Sequence, residues 1–248
     1  MSQVTGAPGP ADEVRRGEIR AGLGAVRARI AAACQAAGRS PGDVTLIAIT
    51  KTRPASDIRL LSELGVTDVG ENRAQEAAAK AAECAALGLR LTWHFVGQLQ
   101  VNKAASVASY ADVIHSVDRL RLVSALGSRA AAAGRRITCL VQVSLDGDPD
   151  RGGVAADQIG QIGQIADAIA SEDALILGGV MAVAPMEIPA AAAFRKLKEV
   201  ADEVRGSHPG AVMISAGMSD DLEQAIEAGA THVRVGTALL GGRRAIVR

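Results

Sequence analysis

Lys51 directly follows the apolar run VTLIAIT (44–50). A run that apolar reads as a buried strand, and its end would lift the ammonium into a mouth with low-dielectric walls. Desolvation disfavours the charged form of a lysine and frees the amine to condense with an aldehyde. The plainer alternative is a lysine that snorkels to water at a strand end. A second cluster, Ser215-Ala216-Gly217-Met218-Ser219, ends another apolar run and leads into a helical stretch, so backbone N–H groups converge there. Ser219 has the character of an N-cap for that helix. Gly236 and Thr237 close the last apolar run with a backbone free of Cβ and one hydroxyl, both suited to a phosphate. A capped helix and an ordinary turn account for the same residues. Arg234 alternates with Val233 and Val235, so it faces away from them, either into the sheet's enclosed side or onto a helical layer. Asn72 and Arg73, in GENR, can contact a ligand or cap the following helix.

Other polar groups carry less. Asp146, Asp148 and Asp150 imitate the opening of a calcium loop, but Arg151 replaces its glycine and Asp157 its bidentate glutamate. His94, His115, His208 and His232 show no metal-ligand spacing, although His94 and His115 fall on neighbouring strands and can meet. Cys34, Cys84 and Cys139 form no CxxC pair and read as small buried hydrophobes in a reducing compartment. No metal site is expected.

These residues have to be held by elements, and periodicity supplies them. After a tail over residues 1–10, residues 13–38 carry Val14, Ile19, Leu23, Val26 and Ile30 at mostly helical spacings. Eight β-branched runs follow, at 44–50, 67–70, 91–97, 111–117, 137–144, 175–183, 211–217 and 231–239. Helical stretches near 54–64, 73–87, 100–109, 118–133, 155–170, 189–206 and 219–228 separate them. That alternation predicts an α/β chain with a parallel sheet. Gly22-Leu23-Gly24 lies inside the first helix and lacks the third glycine of a dinucleotide fingerprint. Little chain follows the eighth run, so the extra N-terminal helix is placed to cover a closing seam. The expectation is a single (β/α)8 barrel of TIM type over residues 11–248, with chemistry at the C-terminal strand ends.

Composition narrows function. Aromatic residues are 2% of the 248, too few for base-stacking platforms, and 27 basic against 27 acidic residues leave no field to gather polyanions. Nucleic acid is not an expected partner. The N-terminal stretch has no apolar signal core, and the longest apolar run contains glycines and is too short to span a bilayer, so a cytoplasmic protein with no membrane partner is expected. A monomer is expected as well.

The segments AITKTRP (48–54), VGENRAQE (69–76), WHFVGQLQVNK (93–103), IHSVDRL (114–120), GVMAVAP (179–185) and ISAGMSDDLEQAIEAGATHVRVGTALLG (214–241) together resemble the pyridoxal phosphate homeostasis (YggS-like) family. That family is similar to the N-terminal barrel of alanine racemase. The resemblance implies pyridoxal 5′-phosphate (PLP) held as an internal aldimine, a Schiff base, on Lys51. It implies a phosphate site at Ser215, Ser219, Gly236 and Thr237, an arginine facing the pyridine nitrogen at Arg234, and a ring-side asparagine at Asn72. Ala216, Gln98 and Arg151 depart from the residues common in the family. It further implies buffering of PLP and its delivery to apo PLP-dependent enzymes, with no catalytic residues and no turnover expected. A weak PLP-dependent racemase is the alternative, although the length leaves no room for the second domain that supplies a racemase's tyrosine, and Tyr110 precedes a strand at the wrong end. Such a racemase would recruit His94 or His115. A Schiff-base aldolase acting on a phosphorylated sugar would use the same lysine and cup.

Overall fold

The computed structural model describes residues 10–148 and 151–242. The tail expected over residues 1–10 lies outside them apart from Pro10, which opens the first helix, as do Asp150 of the acidic loop and the basic end from residue 243. In chain order the elements are α1 (Pro10–Ala36), β1 (Thr45–Ile49), α2 (Ala55–Glu63), β2 (Asp68–Glu71), α3 (Ala74–Ala86), β3 (Thr92–Phe95) and α4 (Ala104–Ala108). There follow β4 (Val113–Val117), α5 (Leu120–Ala132), β5 (Ile137–Ser144), the two-residue β6 (Val154–Ala155), α6 (Ile159–Ala170), β7 (Leu175–Met181) and α7 (Ala190–Ser207). β8 (Met213–Ser215), α8 (Leu222–Glu227), β9 (His232–Val235) and α9 (Thr237–Leu240) complete the chain.

All strand pairs are parallel, and β4 pairs with β5 as well as β3, so eight strands close into a barrel while β6 lies beside the end of β5. Period two assigns the faces. Leu46 and Ala48 pack outward against helices, whereas Ile47 and Ile49 point inward, where a Cβ on Gly70 would strike both. Arg234 pairs in register with Ile47 and therefore faces the interior. The sequence expectation of eight strands and an extra helix is met, with local differences. The run 231–239 stops at Val235, because Gly236 turns the chain and a short helix tucks Leu239 and Leu240 under α1. The stretch expected to be helical from 155 begins at Ile159, its first residue having joined β6.

α1 covers the seam between β9 and β1. Ile19, Leu23, Val26, Ile30 and Cys34 form one buried stripe against Val233, Val235, Leu239 and Leu240. At Gly22 an added Cβ would stand 2.3 Å from the Leu239 carbonyl oxygen, so only glycine admits this approach. Arg15 bridges α1 to α2, with Nη2 2.6 Å from Asp57 Oδ2 and 3.2 Å from the Leu240 carbonyl. All three cysteines are buried thiols, and burial pushes that of Cys139 up to about 12. Among the described residues no helix is long and apolar enough to cross a membrane.

Candidate functional site

A cavity of about 260 Å³ opens at the C-terminal ends of β1, β2 and β9, lined by Ile49, Lys51, Asn72, Arg73, Gly236 and Thr237 among others. Four of the seven residues singled out from sequence thus share one wall: Lys51, Asn72, Gly236 and Thr237. Lys51 is exposed in the mouth rather than desolvated by its strand, because it stands one residue beyond the buried Thr50 on a turn. The expected desolvation is not supplied by the protein walls alone.

The other three lie beside or beneath that wall. Ser219 does not cap α8, since the helix starts later, at Leu222, after a turn in which Asp221 Oδ1 accepts the Met218 N–H at 2.6 Å. Ser219 Oγ accepts instead from the Ala238 N–H at 3.3 Å, which ties the β8–α8 loop to the turn holding Gly236 and Thr237. Ser215 is fully buried. Arg234 is 4% exposed, and its guanidinium reaches the C-terminal ends of two further strands, donating to Ser215 Oγ at 2.7 Å and to the Ala182 carbonyl at 2.9 Å. Burial pulls Arg234 down to about 10, with Asp221 acting the other way, so it is still cationic at neutral pH.

The turn carrying Lys51 is held by charges that composition gave no reason to single out. Thr52 is a non-glycine residue at φ +63, a conformation that costs an L-residue about 1 kcal/mol. Glu76 Oε1 accepts its N–H at 2.7 Å. Lys80 Nζ donates to Glu76 Oε1, Glu71 Oε1 and the Thr50 carbonyl, each at 2.7 Å, and Thr50 Oγ1 donates to Glu71 Oε1 at 2.7 Å. Burial raises the Glu71 carboxyl, and hydrogen bonds from Lys80 and Thr50 oppose it. The i,i+4 spacing of Glu76 and Lys80 on α3 was a visible signal; their aim at the Lys51 turn was not.

Asn72 is fixed from behind by Gly97, where a Cβ would lie 2.2 Å from the Asn72 carbonyl oxygen. Its Oδ1 is buried with no hydrogen-bond partner although the residue lines the cavity. An amine and a glycine backbone fit a small polar ligand bearing a carbonyl and an anion, and the unspent Asn72 acceptor fits a hydroxyl donor on the same ligand, groups that PLP carries. Gln98 lines an adjoining cavity of about 440 Å³ that shares Asn72 and Arg73, while Arg151, on the loop after β5, binds Asp146 of that loop and the Ala184 carbonyl beyond β7. His94 and His115 do meet, 2.9 Å apart, but both are buried below the mouth and neither lines the cavity. Tyr110 is buried edge-on to Trp93 before β4, at the opposite end of the barrel.

A family model described as "Alanine racemase, N-terminal domain" matches residues 22–244. A pyridoxal phosphate homeostasis protein of Mycobacterium bovis is 45% identical over 244 residues, covering 93% of this chain and 95% of its own. One of Escherichia coli K12 is 36% identical over 230 residues, covering 91% and 97%. Among solved structures, PipY of Synechococcus elongatus PCC7942 with PLP bound superposes with a TM-score of 0.76 at 34% identity, over 90% of this chain and 100% of that one. An alanine racemase of Clostridium difficile, at 13% identity and a TM-score of 0.67 over 93% of this chain and 58% of its own, shares the fold.

Proposed function

This chain belongs to the pyridoxal phosphate homeostasis family, built on the alanine racemase N-terminal domain, and on that premise we propose that it holds PLP reversibly and serves as a reservoir of that aldehyde. The observation that carries the reading is the cavity itself. Lys51, Asn72, Gly236 and Thr237 line one volume of about 260 Å³ at the strand C-terminal ends, and Asn72 keeps a buried acceptor without a partner. PLP supplies an aldehyde that an amine converts to a C=N bond with loss of water, and water reverses the step.

Each residue then has a task. Lys51 Nζ is the amine, and the Thr50-Glu71-Lys80-Glu76 cluster fixes the turn from which it projects. Thr237 and the Gly236 backbone, tied through Ala238 to Ser219, form the phosphate side. Arg234 would meet the pyridine nitrogen. A guanidinium has no acceptor, so that nitrogen would stay unprotonated and the ring a weak electron sink. Holding is favoured over turnover for a second reason: the one tyrosine in the sequence is buried at the far end, and His94 and His115 are committed to each other below the mouth.

The reading is tested by loading the protein with PLP, removing free ligand and mixing with the apo form of a PLP-dependent enzyme. Activity should be restored from loaded wild type and not from Lys51→Ala treated identically. Failure of wild type to retain PLP would overturn the reading. Lys51-dependent α-deuteration of an L-amino acid in D₂O would replace the reservoir with a racemase.

A further inference from the structure

Beneath the mouth, five side chains from five strands are joined end to end across the barrel interior. Asp68 Oδ1 lies 2.9 Å from His94 Nε2, His94 Nδ1 2.9 Å from His115 Nε2, and His115 Nδ1 2.9 Å from Ser215 Oγ, which accepts from Arg234 Nη1 at 2.7 Å. His94, His115, Ser215 and Arg234 are each at most 4% exposed. At the far end Asp68 lines a second cavity, of about 600 Å³, at the N-terminal ends of β1 and β2.

The chain permits few proton arrangements. Burial works to raise the Asp68 carboxyl, but hydrogen bonds from His94 and Thr67 outweigh it and hold the group below its usual range, so Asp68 is an acceptor and His94 Nε2 carries a hydrogen. When His94 is neutral, its Nδ1 accepts from His115 Nε2–H. His115 Nδ1 must then accept, and Ser215 gives its hydroxyl hydrogen to it. When His94 carries a second proton, the two bonds that follow reverse, while Arg234 goes on donating to Ser215 Oγ. His94 Nδ1 donates, His115 bears its hydrogen on Nδ1 and donates to Ser215 Oγ, and the Ser215 hydrogen is released. One uptake and two transfers along the same bonds connect the two states: a proton from the mouth arrives at Ser215 Oγ, the serine hydrogen moves to His115 Nδ1, and the His115 Nε2 hydrogen moves to His94 Nδ1. One proton is gained, and its charge comes to rest beside Asp68. Burial, then His94, Arg234 and His232, keep His115 well below the usual histidine range, so it passes the proton without retaining charge. Among the described residues, the remaining titratable and charged groups facing the chain are His232, its ring centroid 6.3 Å from that of His94, and Asp221, which acts on Arg234.

We propose that Asp68, His94 and His115 are positioning residues of the ligand site: a one-proton reversal of their hydrogen bonds decides whether the Ser215 hydroxyl donates inward to His115 or is free to donate to a bound phosphate. The proposal rests on the PLP reading, extended by the family resemblance that adds Ser215, buried beneath the cavity wall, to the phosphate side.

The first test uses the ligand-free protein, with ¹⁵N NMR of the histidine rings between about pH 5 and 9. His115 Nδ1 and Nε2 should exchange protonated and unprotonated roles in the same transition that adds a proton to His94. His115 in one tautomer throughout overturns the proposal, whether or not His94 titrates. Asp68→Asn, which keeps both rings and an acceptor, should move the transition to lower pH, and an unmoved transition contradicts it. The second test titrates pyridoxine 5′-phosphate, which has the phosphate and no aldehyde, into wild type and Ser215→Ala. Wild type should bind about tenfold tighter than the variant below the transition and equally above it; a ratio independent of pH overturns the proposal. Absence of PLP retention by wild type would remove the ligand reading alone, since the NMR outcome judges the chain by itself.

Discussion

Lys51 and Arg234 could be singled out in sequence for different reasons, and the structure treats them differently. Arg234 is the better determined, because strand alternation and its pairing with Ile47 leave only the interior open to it. Arg234→Ala leaves Ser215 Oγ and the Ala182 carbonyl without their buried donor, so it should destabilise by about 2 kcal/mol on denaturant unfolding and change the absorption spectrum of bound PLP. The buried histidines set a pH dependence. Burial and then His94 hold His232 at about 4, below the ordinary 6.5, so the unfolded chain takes up the proton first. Stability should therefore be intact above about pH 6.5 and fall as pH drops toward about 4, with a shallower fall in His232→Gln, as read by melting temperature against pH. The meeting of His94 and His115 was foreseeable from their adjacent strands. Asp68 and Ser215 at the two ends of that pair were not, because their link depends on stagger around a closed barrel rather than on spacing along the chain.

Elements explain why the site is placed where it is. The strands and helices were legible because apolar periods of two and 3.6 alternate cleanly, and the eighth strand was overrun because Gly236 ends it without a change in apolar character. The cluster at the base of the Lys51 turn was hidden, since Glu76 and Lys80 look in sequence like residues of a solvated helix face and Glu71 like a polar residue of the turn after its strand. Lys80→Ala removes the cation from a fully buried Glu71, and breaking such a pair costs about 3–5 kcal/mol. It should also slow reaction of Lys51 with PLP, while adding Glu71→Gln should recover part of the stability, measured by chemical denaturation of both variants. Gly97→Ala drives a Cβ into the Asn72 backbone and should weaken PLP retention more than it lowers the melting temperature.

The whole molecule is a closed barrel whose seam is covered by α1, so ligand mouth and N-terminal helix are parts of one packing problem. Leu23 is buried against β9 and α9, the same short segment that presents Gly236 and Thr237 to the cavity. Leu23→Ala should destabilise by about 2–4 kcal/mol and loosen the phosphate side without touching it, read as faster loss of PLP from a variant that still folds. Family resemblance was carried by ordered motifs along the chain, whereas the sharing of work between mouth and interior needed the three-dimensional arrangement. The central claim is that the amine at the end of β1 is the attachment point. It is tested most directly by incubating the protein with PLP, reducing with borohydride and locating the pyridoxyl group by mass spectrometry. A single adduct on Lys51, absent from Lys51→Ala, is the expected result; no adduct on Lys51, or one distributed over exposed lysines such as Lys196 and Lys198, would contradict it.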